Sequence, residues 1–343
     1  MKALPALASR AAILITSVAA ILLVIRLLWP ENRPLALPPP NAPSLSASSK
    51  PITPIPAVAA NLDPKKVALG NLLFHETSLS SDNLVACAGC HQLAHGGVDG
   101  IQFSLGVKGS VSLINTPTVF NSVFNFRQFW NGRAKTLNEQ IAGPIHNPLE
   151  MGSNWVEVVA KLKQDPAYVV AFSQSYKNGI TPENIADALA IFLRTLVTPN
   201  SRFDKYLKGD PSALTPYELT GYALFTTYGC IACHQGVNIG GNMFEKLGIM
   251  RDYFKERGSI TEADQGRYAL TKNPADMHVF KVPGLRNIAL TAPYLHDGTA
   301  QTLEDAVHIM GKYQLGITLP DEEVARIVAF LRTLTGEYNG KPL

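Results

Sequence analysis

The sequence predicts a mainly α-helical protein, two similar helical halves standing behind an N-terminal apolar segment. Three observations predict it. The motif Cys-x-x-Cys-His occurs twice, as CAGCH at Cys87–His91 and CIACH at Cys230–His234, and uses all four cysteines of the chain. A helix-like stretch precedes each copy, and each half closes on a similar segment, ALAIFLRTL at Ala188–Leu196 and RIVAFLRTL at Arg326–Leu334. Strand signals are sparse, and Gly and Pro punctuate long loops.

From the N-terminus, Lys2 and Arg10 precede the apolar run Ala11–Ile25, which resumes after Arg26. With Arg26 snorkelling, the stretch approaches the roughly 20 residues a bilayer needs. Positive charge ahead of it places the N-terminus inside and the rest of the chain outside. The rival reading is a cleaved signal peptide, but no convincing small-x-small site lies just after the run, and there is no cysteine that could be lipidated. Residues 1–29 are therefore expected to form an inner-membrane anchor. Residues 30–60, rich in Pro, Ser and Ala, are expected to form a semi-extended linker.

The body opens with DPKKVALGNLLF at Asp63–Phe74, where Leu69, Leu72 and Leu73 fall at helical spacing. Asp63 suits the N-cap and Pro64 the first turn. TPYELTGYALFTTYGC at Thr215–Cys230 again reads as a helix running into the motif. An internal duplication of helix, motif, long excursion and closing helix follows, with domains expected over 61–200 and 201–343. The length agrees with two domains, and 46% hydrophobic residues with a real core. A net charge of +3, with no basic run interleaved with aromatics, excludes nucleic acid as a partner.

Cys-x-x-Cys-His is the attachment signature of c-type haem. The thiols (Cys87 and Cys90, Cys230 and Cys233) form thioethers to the vinyl groups, and His91 and His234 take the iron as proximal ligands. A zinc site or a redox dithiol is the competing reading, but a thioredoxin-like dithiol sits beside a βαβ pattern, which neither motif has. Two covalently bound haems imply assembly outside the cytoplasm, in a bacterial periplasm.

The two haems are not equivalent. Methionine on the far face of the iron raises the reduction potential, whereas an open face admits a substrate. The second haem has Met243, Met250, Met277 and Met310 as candidates. Met310 ends TLEDAVHIM, a helix with Thr302 and Asp305 as a box-like cap just before the closing helix, where small cytochromes place their ligand. His308 and His296 are rivals. Near the first haem, Glu150 in NPLEMG is a carboxylate able to accept and return the proton that peroxide cleavage moves. Trp130 is a candidate relay between the haems.

NTPTVFN at Asn115–Asn121, QFWNGRA at Gln128–Ala134, NPLEMG at Asn147–Gly152 and LRNIALTAPYLHDG at Leu285–Gly298, together with the two haem motifs in this order, resemble the bacterial di-haem cytochrome c peroxidases. The resemblance runs from about Asn61 to Gly336. It implies two cytochrome c-like domains packed together, a low-potential peroxidatic haem on His91 and a high-potential electron-entry haem on His234 with Met310 as its distal ligand. It further implies Glu150 as the acid–base group, Gln140 and Phe129 as pocket lining, and Trp130 between the haems. A calcium ion held by the Asn115 side chain and the carbonyls of Thr291 and Pro293 is implied as well; oxygen donors suit it. Hydrogen peroxide is the implied substrate and a small cytochrome c or cupredoxin the donor, with a quinol as a further possibility and a homodimer as the frequent state of the family.

Many of these enzymes rest with a loop histidine blocking the peroxidatic iron. Counting back from Asn115 along FSLGVKGSVSLIN puts Val107 at that place, and valine cannot ligate iron. An iron open without reductive activation is the expectation, unless His95 or His146 substitutes. Two other functions compete. A MauG-like oxidase acting on a partner protein has a tyrosine where Met310 stands, and a pure electron-transfer cytochrome has no use for Glu150.

Overall fold

The computed structural model describes residues 51–56 and 61–343. The expected anchor over 1–29 and all but residues 51–56 of the expected linker lie outside these. No helix among the described residues is long and apolar enough to cross a membrane.

Helix follows helix along the body: α1 (Pro64–Phe74), α2 (Leu137–His146), α3 (Trp155–Gln164), α4 (Pro166–Ser175), α5 (Pro182–Leu193), α6 (Arg202–Leu207), α7 (Pro216–Thr227), α8 (Leu303–Ile309) and α9 (Asp321–Arg332). The only paired strands longer than two residues among the described residues are β1 (Phe244–Lys246) and β2 (Val279–Lys281), an antiparallel pair with Phe244 opposite Lys281. The helices start where the sequence places polar caps. Asp63 accepts a hydrogen bond from the Lys65 amide at 2.9 Å with Pro64 in the first turn. Thr215 with Glu218, and Thr302 with Asp305, form reciprocal capping boxes.

The duplication is visible in how the helices cross. Gly70 of α1 lies against Ala188 and Phe192 of α5, and Gly221 of α7 lies against Arg326 and Phe330 of α9. A Cβ at Gly70 would meet the Ala188 carbonyl oxygen at 2.1 Å, and one at Gly221 the Arg326 carbonyl oxygen at 1.9 Å. Each leading helix thus presents a bare backbone to the closing helix, which sets the crossing at the same point in both halves. Leu69, Leu73 and Phe74 are buried in this contact. Leu72, counted with them by spacing, turns out to solvent at 56% exposed because the close crossing at Gly70 rotates the buried face away from it.

One hydrophobic cluster draws on residues from Leu69 to Leu196, and a second on Ile52 with residues from Phe203 to Leu334. Segments from either side of the body cross between them. Ile52 belongs to the second cluster, whereas Tyr338 and Leu343 pack on the first. Asn121 and Asn287 meet on one hydroxyl, donating to Thr198 Oγ1 at 2.7 and 2.9 Å. Beneath the N-terminal strap, buried Asp204 pairs with buried Arg286 at 2.8 Å and accepts from the Ile55 amide at 3.2 Å.

Candidate functional site: two haem cavities and a shared wall

Each Cys-x-x-Cys-His forms a short turn that brings its two thiols and its imidazole to one cavity. The first cavity encloses about 450 Å³ and is walled by Cys87, Cys90 and His91. The second encloses about 430 Å³ and is walled by Cys230, Cys233 and His234. Both imidazoles are oriented from behind. His91 Nδ1 donates to the Gly97 carbonyl at 3.2 Å, and His234 Nδ1 to the Ile239 carbonyl at 3.3 Å. That bond leaves Nε2 as the free ring atom, the usual arrangement behind a metal-ligating histidine. Burial pushes the His91 pKa down and that of His234 down to about 4, so both rings are neutral and able to ligate. Burial also pushes the Cys87 thiol up to about 12 and Cys230 up to about 11. Thiols held protonated in this way do not suit a redox dithiol, whose chemistry needs a thiolate. The donor set and the mainly apolar walls fit covalently attached haem in both cavities.

The same backbone device then builds the far wall of each. QFWNGRA and YLHDGTA both close on an isolated antiparallel bridge, Gln128 with Ala134 and Tyr294 with Ala300. Both carry positive φ at the second residue, 69° at Phe129 and 71° at Leu295. Each loop runs into a helix capped by threonine, α2 after Thr136 and α8 after Thr302. Aligned through these loops, Pro144 of α2 occupies the position of Met310 at the end of α8. Met310 lines the second cavity, and a π-helical turn begins at it, Met310–Leu315. Such turns recur at functional sites. Met243, Met250 and Met277 do not line that cavity; His308 faces Asp321 at 3.4 Å, and His296 lines it with Nε2 engaged by Asp264 at 2.7 Å. Pro144 lines the first cavity and offers iron no donor atom. Met151 also touches it, as part of the buried apolar cluster.

Glu150, Gln140 and Phe129 all line the first cavity. Asn147 Nδ2 donates to Glu150 Oε1 at 2.6 Å. Burial raises the Glu150 pKa, while the Asn147 hydrogen bond and the nearby positive charge of Arg133 oppose the rise. The Arg133 guanidinium lies 3.3 Å from the centre of the Phe129 ring. Arg133 and Asn147 also line this cavity, and sequence reasoning did not single them out although they stand in QFWNGRA and NPLEMG. The three-residue offset from Asn147 to Glu150 was the available signal.

Val107 does not line the cavity. Its amide donates to the Glu150 carbonyl at 2.8 Å and its side chain packs beside Gly152, so the loop braces the turn that carries Glu150. His95 is exposed and bonds Gln92 through Nδ1 at 2.8 Å; His146 is exposed and stands edge-on to Trp155. Neither reaches the cavity wall.

Trp130 lines both cavities, as do Asn115 and Phe280. Its Nε1 donates to the Asn115 carbonyl at 2.9 Å, and its ring stands edge-on to His296 at 6.3 Å between centroids. Thr291 and Pro293 line the second cavity together with Asn115. Behind this wall lies a cluster the sequence did not disclose. Asp264, His296 and Asp297 come close enough to hold a cation, but Arg257 already pairs with both carboxylates, with Asp264 at 2.6 Å. Burial would raise the Asp264 pKa, but His296 and Arg257 together hold it well below the carboxylate range.

A family model described as di-haem cytochrome c peroxidase matches residues 64–212. Cytochrome c peroxidase of Escherichia coli strain K12 is 51% identical over 84% of the chain, which spans 62% of that relative's length. Cytochrome c551 peroxidase of Nitrosomonas europaea is 46% identical over 85% of the chain and 86% of the relative. Among solved structures, a MauG-like protein associated with microbial copper homeostasis superposes with a TM-score of 0.73 at 27% identity, over 90% of this chain and 96% of that one.

Proposed function

The chain belongs to the di-haem cytochrome c peroxidases, oxidoreductases that act on peroxide, and from that premise we propose a division of labour between its two cavities. Hydrogen peroxide is reduced in the first cavity, and electrons enter through the second. The observation that carries this reading is the asymmetry across the duplication: Met310 in the second cavity, Pro144 in its place in the first, and Glu150 with Arg133 facing the space so left open.

Bound haem supplies the iron at which peroxide is reduced and, in the second cavity, a store for an electron. The chain's own groups do the rest. Glu150, ionised, takes the proton from the near oxygen of peroxide and returns it to the departing one. Asn147 holds that carboxylate in place, and Arg133 stabilises the negative charge that grows on the departing oxygen. Phe129 and Gln140 shape the pocket. Trp130 carries electrons across the shared wall. Two electrons and two protons convert each peroxide to two waters. The donor is a small periplasmic cytochrome c or cupredoxin, or a quinol, and the enzyme works on the periplasmic side of the inner membrane, with Asn115, Thr291 and Pro293 offering oxygen donors to calcium. Met310 favours this reading over a MauG-like oxidation of a partner protein.

Glu150→Gln should lower peroxide turnover by about 10²–10⁴-fold, the usual contribution of a positioned acid–base group, with both haems still attached. Near-normal turnover would remove Glu150 from the mechanism. Since Val107, His95 and His146 all lie off the first cavity, fully oxidised protein should react with one equivalent of peroxide without added reductant, read as a fast change in the haem absorption bands. A reaction seen only after half-reduction would show that another group blocks the iron.

A further inference from the structure

Lys281 is buried, 7% exposed, on β2 and lines the second cavity. Burial alone pushes its pKa down, to about 8, with no neighbouring charge or hydrogen bond opposing the fall. Among the described residues no acceptor lies within hydrogen-bonding or ion-pairing distance of its Nζ. A buried ammonium without an anion is strongly unfavourable, and the other buried cation of this cavity, Arg286, is fully paired: with Asp204 at 2.8 Å and with the carbonyls of Val237 and Thr53 at 3.0 Å each. The backbone of Lys281 is held firmly, its amide donating to the Trp130 carbonyl at 2.7 Å, so the side chain issues from the wall between the cavities.

We propose that Lys281 pairs with a propionate carboxylate of the haem attached at Cys230 and Cys233. The inference rests on the assignment of haem to the second cavity. The vinyl edge of a c-type haem would be tied at the cysteines and its propionates would lie away from them, and Lys281, without a partner among the described residues, is the buried cation of this cavity left to meet one. Reduction adds an electron to the haem. A fixed positive charge beside it favours the reduced state, so Lys281 acts with Met310 to keep this haem at high potential.

The experiment is a redox titration of the haem-loaded protein, wild type against Lys281→Met and Lys281→Arg, with haem content measured by pyridine haemochrome and the propionate bending modes by resonance Raman. Lys281→Met should load both haems, shift the second haem's potential to more negative values and shift its propionate mode, leaving the first haem's potential nearly unchanged. Lys281→Arg should restore the wild-type potential. If Lys281→Met does not load, Lys281→Gln takes its place with the same expectation. An unchanged potential and an unchanged propionate mode in a loaded, uncharged variant would overturn the pairing. Wild-type protein that attaches no haem at Cys230 and Cys233 would instead overturn the underlying assignment.

Discussion

At the scale of single residues, the first cavity depends on a balance at Glu150. Burial raises its pKa, and Asn147 and Arg133 pull it back. A carboxylate must be ionised to accept the peroxide proton, so kcat/KM for peroxide should fall as pH drops through a limb above the ordinary carboxylate range. Arg133→Met removes the cation and should move that limb to still higher pH, with both haems retained; Arg133→Lys should leave it near the wild-type position. A pH–rate profile reads the difference. An unmoved limb in Arg133→Met would separate Arg133 from Glu150. The motifs that carry Glu150 and Trp130 were legible in the sequence because they are long and specific, and the fold puts both residues on the wall of the first cavity. Arg133 was not legible, because its relevance comes from where the positive-φ turn at Phe129 aims the chain.

At the scale of elements, the two helix crossings carry the duplication. Gly70 and Gly221 are unfavourable inside helices on backbone entropy alone, by roughly 0.5–1 kcal/mol relative to alanine. They are tolerated because only a bare Cα admits the carbonyl oxygens of Ala188 and Arg326. Gly221→Ala gains helix propensity yet should destabilise the protein by about 1–3 kcal/mol through overpacking, seen as a lower midpoint in denaturant titration. A raised midpoint would show that α7 can back away from α9. The helices themselves were readable from apolar spacing and polar caps. Their crossing geometry was not, because a mid-helix glycine in sequence does not say what will press against it. Leu72 records the same limit, since periodicity counts apolar residues and the neighbouring helix decides which of them face it.

At the scale of the whole molecule, the crossing of the 51–56 segment and the C-terminal residues, with a few buried polar groups, joins the halves. Asp204 is fully buried with Arg286, and together they hold the strap at Thr53 and Ile55. Asp204→Ala leaves an arginine buried without its partner, which costs about 3–5 kcal/mol. The expected result is a clear drop in thermal midpoint and earlier proteolysis near residues 51–56. A neutral outcome would mean that solvent reaches Arg286 once the carboxylate is gone.

The sequence by itself determined the helical class, the repeat and the family and singled out the two Cys-x-x-Cys-His motifs as the points where haem would attach, because these reside in residue identity and in local spacing that no distant contact can alter. Only the tertiary structure decided which methionine lines the second cavity, that Val107, His95 and His146 stay away from the first, that Pro144 answers Met310, and that Arg257 already fills the acidic cluster behind Trp130. Each of these depends on residues far apart in the chain meeting across a cavity wall, and burial, charge and access at such a wall arise only when both halves have folded against it.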